Sequence, residues 1–106
     1  MTRCEFFTEE DRITGFSVSG HSGYAEAGAD IVCAAVSAVV IMAEATINDV
    51  CHANAKVRDK GDANISLMLP ASCDEEEAVQ AVLAGMMLTL CSMRDDYPDY
   101  IEVLEV

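Results

Sequence analysis

The sequence predicts a single α+β domain in which two helices pack on a mainly antiparallel sheet, in the order β-β-α-β-β-α-β. Three observations lead to this fold class. Five short apolar segments bounded by polar turns are typical of strands. Two longer segments carry apolar residues at helical spacing. The chain has 106 residues, 52% of them hydrophobic, which suffices for one core, so we expect residues 1–106 to form one domain.

The first two predicted strands form a hairpin. Arg3–Phe7 and Ile13–Ser19 are separated only by the polar residues 8–12. Within the second strand, Phe16 and Val18 share one face and alternate with serines on the other face. The short connection makes the pair antiparallel.

A helix is predicted from Asp30 to about His52. Its apolar run, Ile31–Ala43, is shorter than the roughly 20 residues that a membrane-spanning helix needs, so we expect a buried helix. The residues predicted on its buried face are Ile31, Ala34, Ala35, Val39, Met42, Ala43 and Ile47.

A second strand pair follows the helix. Ala55–Asp59 and Ile65–Leu69 flank a polar turn that contains a glycine, and Pro70 ends the second of these strands. Periodicity leaves two points open. Ala55–Asp59 is either a regular strand or an extended edge segment, and the order of the strands in the sheet is not encoded in the pattern.

The second helix has a marked start. Ser72 stands three residues before Glu75, which is the spacing of a capping box, and acidic residues follow. The helix ends before Tyr97, and Tyr100–Val106 is the last strand. The residues predicted on the apolar face of this helix are Val79, Val82, Leu83, Met86, Met87, Leu90 and Met93.

The charge of the chain limits its partners. Nineteen acidic residues against six basic ones give a formal net charge of −13. This charge repels nucleic-acid phosphates and anionic lipids, so we expect no direct nucleic-acid binding and no membrane binding. The same field attracts a basic polypeptide, although an acidic surface also serves solubility alone.

The five cysteines are expected to be reduced thiols. No C-x-x-C pair is present, so the sequence predicts neither a zinc site nor a redox dithiol, and no cofactor is implied. The N-terminal residues lack the pattern of a signal peptide, and we expect a cytoplasmic protein. Cys4, Cys51, Cys73 and Cys91 are predicted to behave as small hydrophobic side chains. Only Cys33 has a setting that favours chemistry.

His21 and Cys33 are the candidate catalytic residues. His21 directly follows Gly20 at the end of the second predicted strand, and a glycine-rich connection leads to the predicted helix. A thiol is mostly protonated at neutral pH, so a cysteine nucleophile needs a helix N-terminus or a nearby cation. If Asp30 is the N-cap, Cys33 falls at N3 and is activated as a thiolate by the positive end of the helix.

Two further polar residues have alternative roles in this site. Asp30 either caps the helix or orients His21, and the sequence does not choose between them. Ser37 lies one turn after Cys33, where it bonds within the site or back to the Cys33 carbonyl. If the protein is a protease, Cys33 attacks a peptide carbonyl and His21 protonates the leaving amine. Backbone N–H groups near Cys33 then stabilise the oxyanion. The competing interpretation is a buried cysteine and a structural histidine.

Residues 20–25, which read GHSGYA, and residues 28–37, which read GADIVCAAVS, carry a resemblance to a known family. The chain resembles the Prp ribosomal-processing cysteine proteases of Gram-positive bacteria and their relatives. The similarity also covers length, element order, acidity and the closing YPDYI of residues 97–101. Ser22 stands where many relatives have alanine.

The resemblance implies a homodimer of the fold described above, with His21 and Cys33 as the catalytic pair. Gly20, Asp30 and Ser37 match further motif positions and are implied as supporting residues. The implied substrate is the precursor of large-subunit ribosomal protein twenty-seven, whose N-terminal extension is cut after a pair of phenylalanines.

Another class of function stays open beside the protease. It is a non-enzymatic, acidic ribosome-assembly module that binds a basic ribosomal protein and keeps Cys33 buried. Only the enzyme requires Cys33 as a reactive thiolate. A thiol redox sensor is less favoured, because the sequence places no resolving cysteine near Cys33.

Overall fold

The computed structural model describes residues 1–20, 27–61 and 64–106, and the side chains of residues 27–30 are not among those described. The strands are β1 (Thr2–Glu9), β2 (Arg12–Ser19), β3 (Lys56–Asp59), β4 (Ile65–Met68) and β5 (Ile101–Glu105). The helices are α1 (Ala27–Glu44), which continues as a π-helix over Ala45–Val50, and α2 (Glu76–Asp96). The predicted order of elements is confirmed, and each predicted strand boundary lies within two residues of the observed one.

The five strands form one sheet in the order β3-β4-β2-β1-β5. Neighbouring strands are antiparallel except β1 and β5, which run parallel. The mainly antiparallel sheet is therefore confirmed. β3 is a regular strand at one edge of the sheet, which settles the question that the sequence left open.

The core lies on one face of the sheet, where both helices pack. Phe6 pairs with Phe16 across β1 and β2, with ring centroids 6.2 Å apart, and Phe16 pairs with Leu67 of β4. All three side chains are buried. The predicted apolar face of α2 is confirmed, since its four buried residues all belong to the predicted set. These are Val79, Leu83, Met86 and Leu90.

The buried face of α1 differs from the predicted one. Ile31 and Met42 were expected in the core, but their exposed fractions are 55% and 50%. The core is filled instead by the valines at positions 32, 36 and 40, followed by Ala43 and Ile47. The prediction was wrong because this segment is apolar on nearly every side, so its periodicity does not select a rotation about the helix axis.

The start of α2 also differs from its prediction. The helix begins at Glu76, and the preceding Glu75 makes no capping bond through its side chain, so the Ser72 capping box is wrong. A tertiary contact takes its place. Arg12 of β2 forms an ion pair with Glu76 and donates a 2.8 Å hydrogen bond to the carbonyl oxygen of Pro70. The Cys73 thiol donates to Glu76 at 2.8 Å.

We expect Gly15→Ala to destabilise the fold. A Cβ at Gly15 would lie 2.2 Å from the Leu67 carbonyl oxygen and 2.6 Å from the Met68 sulfur, so β2 and β4 would have to separate locally. The expected loss is about 2–3 kcal/mol in the free energy of unfolding, measured by chemical denaturation. Gly85→Ala is the control. It lies in α2 with nothing near its added methyl group, and we expect a gain of about 0.5–1 kcal/mol.

We expect Glu76→Gln to remove an acid-sensitive part of the stability. Hydrogen bonds from Arg12 and Cys73 lower the pKa of Glu76 below its usual value. The carboxylate therefore stabilises the fold above the usual pKa of glutamate, and this contribution is lost as the pH falls through the lowered value. At pH 7 the variant should be less stable by about 0.5–1 kcal/mol, and the difference should vanish in acid.

Glu105, exposed at the end of β5, supplies the control for this measurement, because it forms no ion pair within the described ranges and does not lie at a helix start. Glu105→Gln should leave the free energy of unfolding at pH 7 unchanged. A difference between wild type and Glu76→Gln that does not change with pH would contradict the role of the ion pair.

Candidate active site

A cavity of about 430 Å³ lies between α1 and one end of the sheet. Its walls are mainly apolar and come from α1, from the start of β1, from the end of β2 and from the β3–β4 hairpin. Its described lining residues are Thr2, Val18, Gly20, Cys33, Val36, Ser37, Val40, Ile41, Asp59, Gly61, Asn64 and Ile65. A cavity of this size accommodates one or two side chains of a bound peptide.

Cys33 and Ser37 face this cavity from consecutive turns of α1. Cys33 is partly exposed, and it is the only cysteine among the described lining residues. The predicted role of Cys33 as the nucleophile stays a prediction. The structure brings Cys33 and Ser37 into one site, and the hydrogen-bonding role of Ser37 stays a prediction.

Gly20 brings the end of β2 to the same cavity. Its φ is +79°, and an added Cβ would lie 2.7 Å from the carbonyl oxygen of Met1, so both the backbone conformation and the space require glycine. His21 follows directly in the chain but lies outside the described residues. The pairing of His21 with Cys33 therefore stays a prediction, supported by the position of Gly20 beside Cys33 in the cavity lining.

The start of α1 corrects two roles predicted near Cys33. The helix begins at Ala27, so Asp30 is its fourth residue and not its N-cap, and Cys33 is its seventh residue and not N3. The field of a helix N-terminus falls off within the first turn, so it does not explain an activated thiol at this depth. The other predicted role of Asp30, orienting His21, concerns side chains outside the described part of the chain.

The same helix start excludes one oxyanion donor. Within an α-helix that begins at Ala27, the N–H of Cys33 bonds to the carbonyl group four residues earlier and is not available to substrate. The described lining offers other donors, which are the hydroxyl groups of Thr2 and Ser37 and the amide of Asn64.

Two of the other thiols are held in their neutral form. Burial, followed by the nearby Cys91, raises the pKa of Cys4 to about 12. Burial also raises the pKa of Cys73, and its hydrogen bond to Glu76 adds to this effect. Within the described ranges, no group of three or more His, Cys, Asp or Glu side chains is placed to hold a metal ion. Among the described residues of the cavity lining, Cys33 supplies the one thiol.

Several lining residues were not singled out from the sequence. They include Asp59 and Asn64 of the β3–β4 hairpin and Ile41 of α1. The alternation in β2 indicated that Val18 faces inward, but no local pattern indicates that the hairpin lies beside α1. These residues reach the cavity only through the order of the strands.

Comparison with known proteins identifies relatives of the chain. A protein-family model described as cysteine protease Prp matches residues 1–102, a range that includes His21 and Cys33. The ribosomal processing cysteine protease Prp of Bacillus subtilis (strain 168) is 33% identical over 95 residues, which cover 86% of this chain and 84% of that protein.

Solved structures share the fold. The essential ribosomal processing protease Prp from S. aureus, in complex with a substrate peptide, has a TM-score of 0.88 at 20% identity. A structure of Prp from the same organism with a covalently linked product peptide has a TM-score of 0.85 at 22% identity. Both similarities cover the whole of each chain. At these identities the similarity establishes the fold of the present chain.

Proposed function

The chain belongs to the Prp family of ribosomal processing cysteine proteases, and we propose that it removes the N-terminal extension of large-subunit ribosomal protein twenty-seven by cutting after a pair of phenylalanines. One observation carries this proposal. Cys33 opens onto an apolar cavity of about 430 Å³ that Gly20, the residue before His21, also lines. A related protease of the same fold holds a substrate peptide in one structure and a covalently linked product peptide in another.

In the proposed mechanism, the Cys33 sulfur attacks the carbonyl carbon of the scissile bond and forms a tetrahedral intermediate. His21 holds the thiol proton and delivers it to the leaving amine, which departs with the C-terminal part of the substrate. Water then hydrolyses the thioester and frees the cysteine. Because α1 begins well before Cys33, the activation of the thiol falls to His21 and not to the helix end.

The walls of the cavity support the choice of an apolar peptide segment. Val36, Val40 and Ile65 supply branched apolar surface beside Cys33, and an aromatic side chain gains free energy when it is transferred from water to such a surface. The charge of −13 supports a substrate drawn from a basic protein. The described cysteines are free thiols, which supports a reducing compartment, and we place the reaction in the cytoplasm.

We expect Cys33→Ala to abolish processing without unfolding the protein. The measurement is mass spectrometry of a synthetic precursor peptide incubated with enzyme under reducing conditions. Wild type should release the fragment that ends in the phenylalanine pair, and the variant should release none. Cys91→Ala is the matched control, since it removes a partly exposed thiol that does not line the described cavity.

The outcomes of this experiment separate the protease from the alternative. Peptide bound by wild type but never cut would favour the non-enzymatic ribosome-assembly module. Cleavage by both wild type and Cys33→Ala would exclude Cys33 as the nucleophile. Loss of cleavage in Cys91→Ala as well would indicate a structural effect and not a specific one.

We further propose that the protein acts as a homodimer that pairs through the outer face of α1. No charged residue occurs between Ile31 and Ala43. Ile31, Ile41 and Met42 are at least half exposed, and the small exposed residues Ala34 and Ala38 lie one turn apart on the same side. Monomeric proteins rarely expose a continuous apolar patch of this kind. A second copy presents the same surface, as a two-fold contact requires.

A lipid bilayer is the other surface that this segment suits. By length and composition alone, Ile31–Val50 is long and apolar enough to cross a membrane. Two observations favour a second copy of the chain. The opposite side of the segment is buried in the core, and the charge of −13 opposes binding to anionic lipid.

We expect Ala38→Glu to weaken the dimer at least tenfold, because a buried, unpaired carboxylate is costly in a helix contact. The measurement is sedimentation equilibrium at several concentrations. Ala81→Glu, at an exposed position of α2, is the control and should leave the association constant unchanged. A monomeric wild type would contradict the proposal, and flotation of the wild type with lipid vesicles would indicate that a membrane covers this face.

A further inference from the structure

Asp59 is the one carboxylate among the described residues that line the cavity. It is exposed and ends β3, and its partner across the β3–β4 pair is Ile65, which lines the same cavity. Among the described lining residues, no other side chain carries a carboxylate, ammonium or guanidinium group. The described part of the cavity therefore combines apolar walls with one acidic side chain at its edge.

The Asp59 carboxylate is fixed in place by its own turn. The backbone N–H of Gly61 donates a 2.9 Å hydrogen bond to its Oδ1 atom. Asp59 takes part in none of the ion pairs found among the described residues. One carboxylate oxygen thus accepts a hydrogen bond within the turn, and no cation of the described residues forms an ion pair with the carboxylate.

The neighbouring cations face the other side of the sheet. Successive residues of a strand point to opposite faces, so Arg58 faces away from the side that Asp59 occupies. Arg58 and Lys60 line a second hollow, of about 310 Å³, together with Ser17 and Ser66, and it shares Asn64 and Ile65 with the first cavity. β3 therefore separates its charges, and the cations next to Asp59 in sequence do not line its cavity.

We propose that Asp59 is a specificity residue that binds a lysine or arginine side chain of the substrate close to the scissile bond. The proposal rests on the proposed peptidase function and names a preference of the same site. A lysine stem packs its methylene groups on apolar surface while its ammonium group reaches a charged partner, and Ile65 provides that surface beside Asp59. The acidity of the whole chain attracts any basic peptide, whereas Asp59 selects the position of the cation along it.

The test compares two peptide series with wild type and Asp59→Asn. Each peptide carries the phenylalanine pair and one lysine, placed in turn at each of the three residues before the pair and each of the three residues after the cut. In the matched series norleucine replaces lysine, which keeps the stem and removes the charge. We measure kcat/KM for cleavage by wild type and Asp59→Asn. We also measure the Kd of each labelled peptide by fluorescence anisotropy in a Cys33→Ala background, with and without Asp59→Asn.

At one lysine position, wild type should prefer lysine over norleucine about three- to fivefold in kcat/KM, as expected for a partly exposed ion pair. Asp59→Asn should lose that preference and cleave the lysine and norleucine peptides of each pair with equal kcat/KM. The Kd values should show the same pattern. Glu9→Gln is the control. It makes the same change in charge at the end of β1 that is far from Thr2, which lines the cavity, and this variant should keep the preference for lysine.

The role of Asp59 would be overturned if wild type showed the same kcat/KM for lysine and norleucine peptides at every position. A preference for lysine that persists in Asp59→Asn would overturn it as well. A peptide that binds but is never cut by wild type would refute the peptidase function alone, because the Kd values still decide whether Asp59 recognises the cation. Charge reversal completes the test. Asp59→Lys should prefer glutamate at the position where wild type prefers lysine.

Discussion

The row of Phe6, Phe16 and Leu67 across three adjacent strands is the contact on which the rest of the structure depends. All three side chains are buried, and both helices pack on the face that they form. Side chains in a strand alternate between the two faces, so a slip of one residue would turn this row toward solvent. The pairing of β2 with β4 also requires glycine at position 15, because a Cβ there would clash with Leu67 and Met68.

The candidate active site is the place where this core reaches the surface. Each wall of the cavity continues an element that the core holds in position. β2 ends at Ser19, directly before Gly20, and β4 carries Ile65 two residues before the buried Leu67. In α1, Cys33 lies three residues before the buried Val36. Part of the apolar wall of the cavity, Val18, Val36 and Val40, therefore also belongs to the core, and Cys33 lies on α1 at the edge of this wall.

Charged residues are distributed unevenly along the chain and between the two faces of the sheet. A chain with a net charge of −13 leaves Ile31–Ala43 without any charged residue, although the outer side of this segment is exposed. The edge strand β3 carries cations on one face and Asp59 on the other, where Asp59 borders the cavity. The protein thus combines a strongly acidic composition with one acidic side chain among the described residues of the cavity lining and an exposed helix face without charged residues.

The sequence by itself determined the number, type and order of the elements, because periodicity and turn chemistry act over a few neighbouring residues. Only the tertiary structure decided which side of α1 is buried, since that helix is apolar nearly all round. It also decided the helix starts. Asp30 lies inside its helix, and Arg12 replaces the expected Ser72 cap. The order of the strands in the sheet places Asp59 at the cavity, and this order depends on contacts between residues distant in the chain.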